Sequence, residues 1–253
     1  MIGIVVVSHS PALARAAVDL ALEMVGDTPP QIAIAAGAGE GITGTDAVKV
    51  AEAIDEVASG DGVLVFMDLG SAVLSGTMAT EFMTTTDEVR LTDAPFVEGL
   101  IAGIVLANAG ASLDEVAREA RVAMGPKQSQ LADQGDTPAA ADTAAASTSA
   151  ATSVSAEDPA EVTAEAPLIN PDGLHSRPAA AIVQALAGVD AKVTISDVTS
   201  GKGPVAANSL IGIMSLGATK DHVVKFTATG ASARQAVDTL LTMTGEGFGE
   251  LAS

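Results

Sequence analysis

Two of the three histidines in this chain sit where a side chain can do phosphoryl chemistry. His175 follows the turn residues Asn170-Pro171-Asp172-Gly173 and stands directly ahead of a helix pattern with Ile182, Val183 and Leu186 as its inward face. Pro178 fits the first turn, where its missing N–H costs nothing. The open amides of Ser176 and Arg177 and the positive end of the helix dipole then face whatever the imidazole carries. That is an anion site built around a nucleophile, and the Arg177 guanidinium suits phosphate. The plain alternative is a histidine that only caps a helix.

His9 ends the apolar run Ile2–Val7 in Ser8-His9-Ser10, and Asp68 ends Val63–Met67 in Asp68-Leu69-Gly70-Ser71. If the two strands are neighbours, the Asp68 carboxylate can hold the His9 ring in one tautomer and leave the other nitrogen as the nucleophile. Pro11 opens a helix behind His9, so helix amides again face an incoming phosphoryl group. Ser71 joins Ser176, Arg177 and Asp68 as candidate phosphate-stabilising residues, beside the candidate nucleophiles His9 and His175. Taken singly, His9 also reads as a polar strand end and Asp68 as an N-cap. The glycines from Gly37 to Gly44 would let backbone approach an anion, a weak signal alone. His222 opens a strand with no turn motif or cation around it and reads as a strand-edge histidine.

The scaffolds behind these residues follow from periodicity. Residues 1–125 alternate unbroken apolar strands with amphipathic helices, which predicts a parallel sheet covered on both faces, a three-layer α/β domain. In such sheets the working residues lie outside the carboxyl ends of the strands. Residues 126–162 are Ala, Ser, Thr, Asp, Gln and Pro with almost no large apolar side chain, which predicts a disordered linker. Residues 163–253 give the order β-α-β-β-α-β-α, an α+β domain in which Val193, Ile195, Val224 and Phe226 alternate as half-buried strands should.

Charge narrows the function classes. Of a net −20, residues 1–125 carry 18 acids against 5 bases, residues 126–165 carry 7 against 1, and the remainder carries 7 against 6. An acidic chain with 2% aromatics lacks the basic surface and stacking platforms of a nucleic-acid binder. With no cysteine there is no disulfide or thiolate chemistry, and no metal site is expected. No stretch is long enough to span a bilayer, and Met1–Val7, without a basic flank, reads as a strand rather than a signal peptide. A cytoplasmic location without membrane contact is the expectation.

The motifs also carry a family resemblance. Gly173-Leu174-His175-Ser176-Arg177-Pro178-Ala179 resembles the active-site signature of the histidine-containing phosphocarrier (HPr) of the bacterial phosphoenolpyruvate phosphotransferase system, with Ser176 where that family usually has Ala. Asn208–Gly217 resembles its second signature, around the short middle helix. The resemblance implies an open-faced sandwich, a four-stranded antiparallel sheet with three helices on one face. Residues 1–125 resemble the mannose-type A domain. Ile4–Ser10, the loop Ala35–Thr45 and Phe66-Met67-Asp68-Leu69-Gly70-Ser71 are more narrowly similar to the phosphoryl-donor subunit of phosphoenolpyruvate-dependent dihydroxyacetone kinase.

What the resemblance implies is a phosphotransferase subunit with covalent phosphohistidine intermediates and no bound cofactor. Enzyme I would load His175, His175 would pass the group to His9, and His9 would phosphorylate ADP on a nucleotide-binding subunit whose ATP serves a dihydroxyacetone-binding subunit. Related A domains are commonly dimers, so a homodimer through the first domain is a further expectation. Some relatives continue into an Enzyme I-like segment; with this sequence ending at Ser253, that role is expected from another polypeptide. Ser209 matches a regulatory phosphoserine of some phosphocarriers, although an N-cap serine needs nothing else. Ala179–Gly188 holds no Lys or Arg where the family usually has them, which weakens the expected grip on Enzyme I. The alternatives are a sugar-specific transport component of the phosphotransferase system and a regulator that senses phosphorylation state.

Overall fold

The computed structural model describes residues 1–26, 28–39, 41–132 and 161–251. Its first half builds β1 (Gly3–Ser8), α1 (Pro11–Leu22), β2 (Ile32–Ala36), α2 (Ala47–Val57), β3 (Val63–Met67), α3 (Gly70–Phe82), β4 (Val89–Leu91), α4 (Phe96–Asn108), α5 (Leu113–Arg121) and α6 (Gly125–Ala132). The four strands pair in parallel in the order β2-β1-β3-β4. Successive β1 side chains point to opposite faces, so each face needs its own cover. Val5 and Val7 pack with Val63, Val65, α2 and α3, while Ile4 and Val6 pack with Leu64, Phe66, α1, α4 and α5. This is the three-layer α/β arrangement. The strand order reverses at β1, which puts a crevice at the carboxyl ends of β1 and its neighbours.

The second half runs β5 (Val162–Pro167), α7 (Ser176–Ala185), β6 (Lys192–Asp197), β7 (Lys202–Ala206), α8 (Leu210–Ser215), β8 (Val223–Thr229) and α9 (Ala233–Gly245). Its sheet is antiparallel in the order β5-β8-β6-β7. Along β8 burial alternates, with Val224, Phe226 and Ala228 inward beneath α9, as one covered face requires. The open-faced sandwich is therefore present.

One boundary differs from expectation. Residues 126–132, placed in the linker by composition, are helical in α6. Pro126 occupies the first turn, where it is tolerated, and Lys127 Nζ donates to Glu98 Oε1 of α4 at 2.9 Å. Packing of α6 against α8 supplies what propensity does not. The rest of the proposed linker, 133–160, lies outside the described residues.

The halves also touch. The principal seam joins α4 to α7 and α8, and α6 to α8. Ser209 Oγ and the Ile211 N–H both donate to Glu119 Oε1, at 2.6 and 2.8 Å, and Gln184 Nε2 donates to the Met24 carbonyl at 2.7 Å.

Candidate functional site

β1 and β3 are adjacent and in register, Val7 opposite Met67, so the residues just past their ends meet. Asp68 accepts four hydrogen bonds there: from the His9 amide (2.8 Å), the His9 ring Nδ1–H (2.9 Å), Ser8 Oγ (2.9 Å) and the Leu69 amide (2.8 Å). A carboxylate only accepts, so Nδ1 carries the proton and Nε2 of the neutral ring keeps its lone pair. Ser71 Oγ lies 2.9 Å from that Nε2 and is the donor to it. Burial pushes the Asp68 carboxyl up, but the bonds from the His9 amide, the His9 ring and Ser8 outweigh it, and the group sits below its ordinary value. The glycine loop closes another side, with the Gly44 amide donating to the His9 carbonyl at 3.2 Å. Asp68 is not the N-cap of α3; that position is Leu69, without a side-chain cap.

The second site is built by a turn pressed against the loop before β8. Leu174 N–H donates to the Ala218 carbonyl at 2.8 Å. Gly173 has a left-handed φ of 64°, and a Cβ there would run into that same carbonyl oxygen, so glycine is required. His175 then falls at the N-cap of α7 in extended geometry, its side chain making no cap bond. Its Nε2 lies 2.7 Å from Glu250 Oε1, so Nε2–H is the donor and Nδ1 holds the free pair. Buried Asn170 ties the pair down, its Nδ2 donating to the Gly173 carbonyl (2.7 Å) and to Glu250 Oε2 (2.9 Å).

Sequence reasoning missed Glu250 and its Asn170 clamp. A signal existed in the glycine-spaced run Gly245–Glu250, where left-handed Gly247, Phe248 and Gly249 precede the Glu250 that reaches the His175 ring. Of the candidates, Ser176 occupies the first residue of α7. Arg177 is exposed, its Nη2 3.9 Å from Glu23 Oε2 of the first half. Ser209 is the N-cap of α8, its Oγ accepting from the Gly212 amide at 2.8 Å. His222 stands just ahead of β8, at the strand edge, and its Nδ1 donates to buried Asp197 at 2.8 Å. Burial raises the Asp197 carboxyl, and bonds from Ser200 and His222 bring it below its ordinary value. Among the described residues no cluster of three or more His, Asp or Glu forms a metal site, and no helix is long and apolar enough to cross a membrane.

Two imidazoles, each fixed by a carboxylate on one nitrogen, on a parallel α/β layer and an open-faced sandwich, define a fused phosphotransferase-system protein. Residues 3–117 match the family described as the fructose IIA component of that system (the mannose-type A domain), and residues 162–245 match the HPr component phosphorylation site. The phosphoryl donor subunit of phosphoenolpyruvate-dependent dihydroxyacetone kinase, DhaM, of Klebsiella michiganensis is 35% identical over 254 residues, covering 99% of this chain and 51% of that protein. The same subunit of Escherichia coli K12 is also 35% identical over 254 residues, with the same coverage. From Listeria innocua, the phosphoryl donor subunit DhaM of dihydroxyacetone kinase 2 is 35% identical over 121 residues, 47% of this chain and 96% of that protein. The chain belongs to the family of DhaM phosphoryl donor subunits. It spans about half the length of the enterobacterial relatives it matches.

Proposed function

We propose that the chain is a cytoplasmic phosphoryl carrier that takes phosphate from phosphoenolpyruvate through Enzyme I onto His175, moves it to His9, and delivers it to ADP held on the nucleotide-binding subunit of a dihydroxyacetone kinase. The observation that carries this reading is the opposite orientation of the two rings. At His175 the Glu250 carboxylate holds the Nε2 proton, so the Nδ1 pair, at the amino end of α7, attacks phosphorus. At His9 the Asp68 carboxylate holds the Nδ1 proton, so Nε2 attacks. In transfer between them the Nδ1–P bond of His175 breaks as the Nε2–P bond of His9 forms. The positive charge that develops on the His9 ring is balanced by Asp68, and the His175 ring returns to neutrality with the proton still on its Nε2, hydrogen-bonded to Glu250. Ser71 gives up its bond to Nε2 and is placed to donate to a phosphoryl oxygen instead. Apart from that turn of the Ser71 hydroxyl, the carboxylates and helix amides stabilise the transferring charge from fixed positions, and neither site calls for a bound cofactor.

The carrier units in this reading are residues 1–125 and 163–253, with 126–162 joining them, and a homodimer through the first unit accords with it. The experiment is to incubate the chain with phosphoenolpyruvate and Enzyme I, map phosphohistidines with time, and then add the ADP-loaded kinase subunit. Label on His175, then His9, then ATP is the expected sequence; label on neither residue, or a sugar as the final acceptor, overturns it. Glu250→Gln should slow loading of His175 by about 10–100-fold, the worth of a hydrogen bond to a charged group. An unchanged initial rate would reduce Glu250 to a surface contact.

A further inference from the structure

The seam between the halves is more than an accident of proximity. α4 is buried over most of its length, from Gly99 and Leu100 through Ala102 to Ala107, so it is apolar beyond the stripe that faces the sheet. A helix apolar all round needs a second cover, and here α7 and α8 share that role with α5. Glu119 is only 8% exposed. An unpaired buried carboxylate is costly, and its partners across the seam are the Ser209 hydroxyl and the Ile211 amide. At the other end, Gln184 binds the Met24 carbonyl. The absence of Lys and Arg from Ala179–Gly188 suits such an apolar contact.

This arrangement does not present one ring to the other. The second half sits on the layer of α1, α4 and α5, whereas the His9 ring is held by Ser71 of α3, in the opposite layer. The contact at Met24 lies past the far end of α1, whose 12 residues put it about 18 Å from the His9 end. Gln130 of α6 meanwhile lines the same small cavity as His175, Leu174 and Met214, so the first half flanks the His175 site. A solvent-open cleft of about 420 Å³ borders the seam at Arg118, Glu119, Asn208 and Ser209.

We propose that the docked arrangement is a resting state in which α4–α6 mask the α7/α8 flank of the His175 site, that Glu119 is its latch, and that a phosphoryl donor protein must displace the first half to reach His175. The masking consequence rests on the carrier reading above; the latch does not. In the full chain, Glu119→Ala should raise amide exchange at Ile211 and Gly212 by about 10–100-fold, as expected for a hydrogen bond to a charged group. It should let the halves tumble independently in ¹⁵N relaxation and speed loading of His175 by phosphoenolpyruvate and Enzyme I. Gln184→Ala, which leaves α5 untouched, should shift all three readouts the same way by a smaller factor. Unchanged exchange in both variants, or independently tumbling halves in the wild type, overturns the latch. Faster exchange without faster loading overturns the masking. A chain that takes no label in any form counts against the carrier reading, while exchange and relaxation still decide the latch.

Discussion

His175→Ala should leave both histidines unlabelled by phosphoenolpyruvate and Enzyme I, with label on His9 falling by roughly 10³-fold or more, as expected when a nucleophile is removed from a unit that works in series. The reason is positional. His175 is a ring with an available Nδ1 at the amino end of a ten-residue helix, held by Glu250 and Asn170. His9 sits in a crevice where Asp68 and Ser71 already engage both nitrogens, which suits a ring that receives from a small protruding donor. The fold should survive the substitution, because His175 makes no cap bond and its half-buried ring lies outside the hydrophobic core. Wild-type label on His9 in this variant, with no free phosphocarrier added, would mean that the group arrives at His9 first and that the order of the relay is reversed.

Asp68→Asn should cut transfer out of His9 by about 10²–10⁴-fold, through loss of the tautomer and of the charge opposite the developing imidazolium. Four donors converge on this side chain, and an amide can satisfy them only through its one oxygen. The variant is therefore expected to lose about 1–3 kcal/mol of stability as well. The wild type carries the matching pH signature. Because the folded-state value of Asp68 is depressed, its contribution is fully present above the ordinary carboxylate value of 3.8 and fades as pH falls through the lower folded value. Denaturant melts of wild type and variant should converge on acidification below that point, and transfer assayed at pH 7 separates the catalytic loss from the stability loss. Equal transfer rates would leave Asp68 a structural acceptor only.

Much of the fold and of both histidine sites is legible in the sequence. His9 and Asp68 could be paired because parallel strands bring their carboxyl ends to one edge, and unbroken runs such as Val63–Met67 announce such strands. His175 was legible because turn residues, histidine and Pro178 mark a helix start. Local pattern carries no information about partners distant in sequence, and there the reading fell short. Glu250 lies 75 residues from His175, beyond a helix, and its approach depends on three consecutive left-handed residues. Glu119, between Arg118 and Arg121 in α5, reads as an ordinary surface acid until α8 is laid over it. Likewise α6 has a composition that does not call for a helix, yet it packs against α8. Each miss is a case of tertiary packing deciding what propensity left open.

The mirror-image clamping of the two imidazoles has an analytical consequence. A phosphoryl group on Nδ1 of one ring and on Nε2 of the other gives two regioisomers, π-phosphohistidine and τ-phosphohistidine, within one polypeptide. Their N–P bonds flank different ring carbons, so the two give separate ³¹P resonances and separate as free amino acids after alkaline digestion. The isomer alone then reports how far along the chain the label has travelled, in the unaltered protein and without peptide mapping. A pulse of labelled phosphoenolpyruvate should appear first as the π form and then as the τ form, and Glu250→Gln should delay the first signal without changing which nitrogen bears the second.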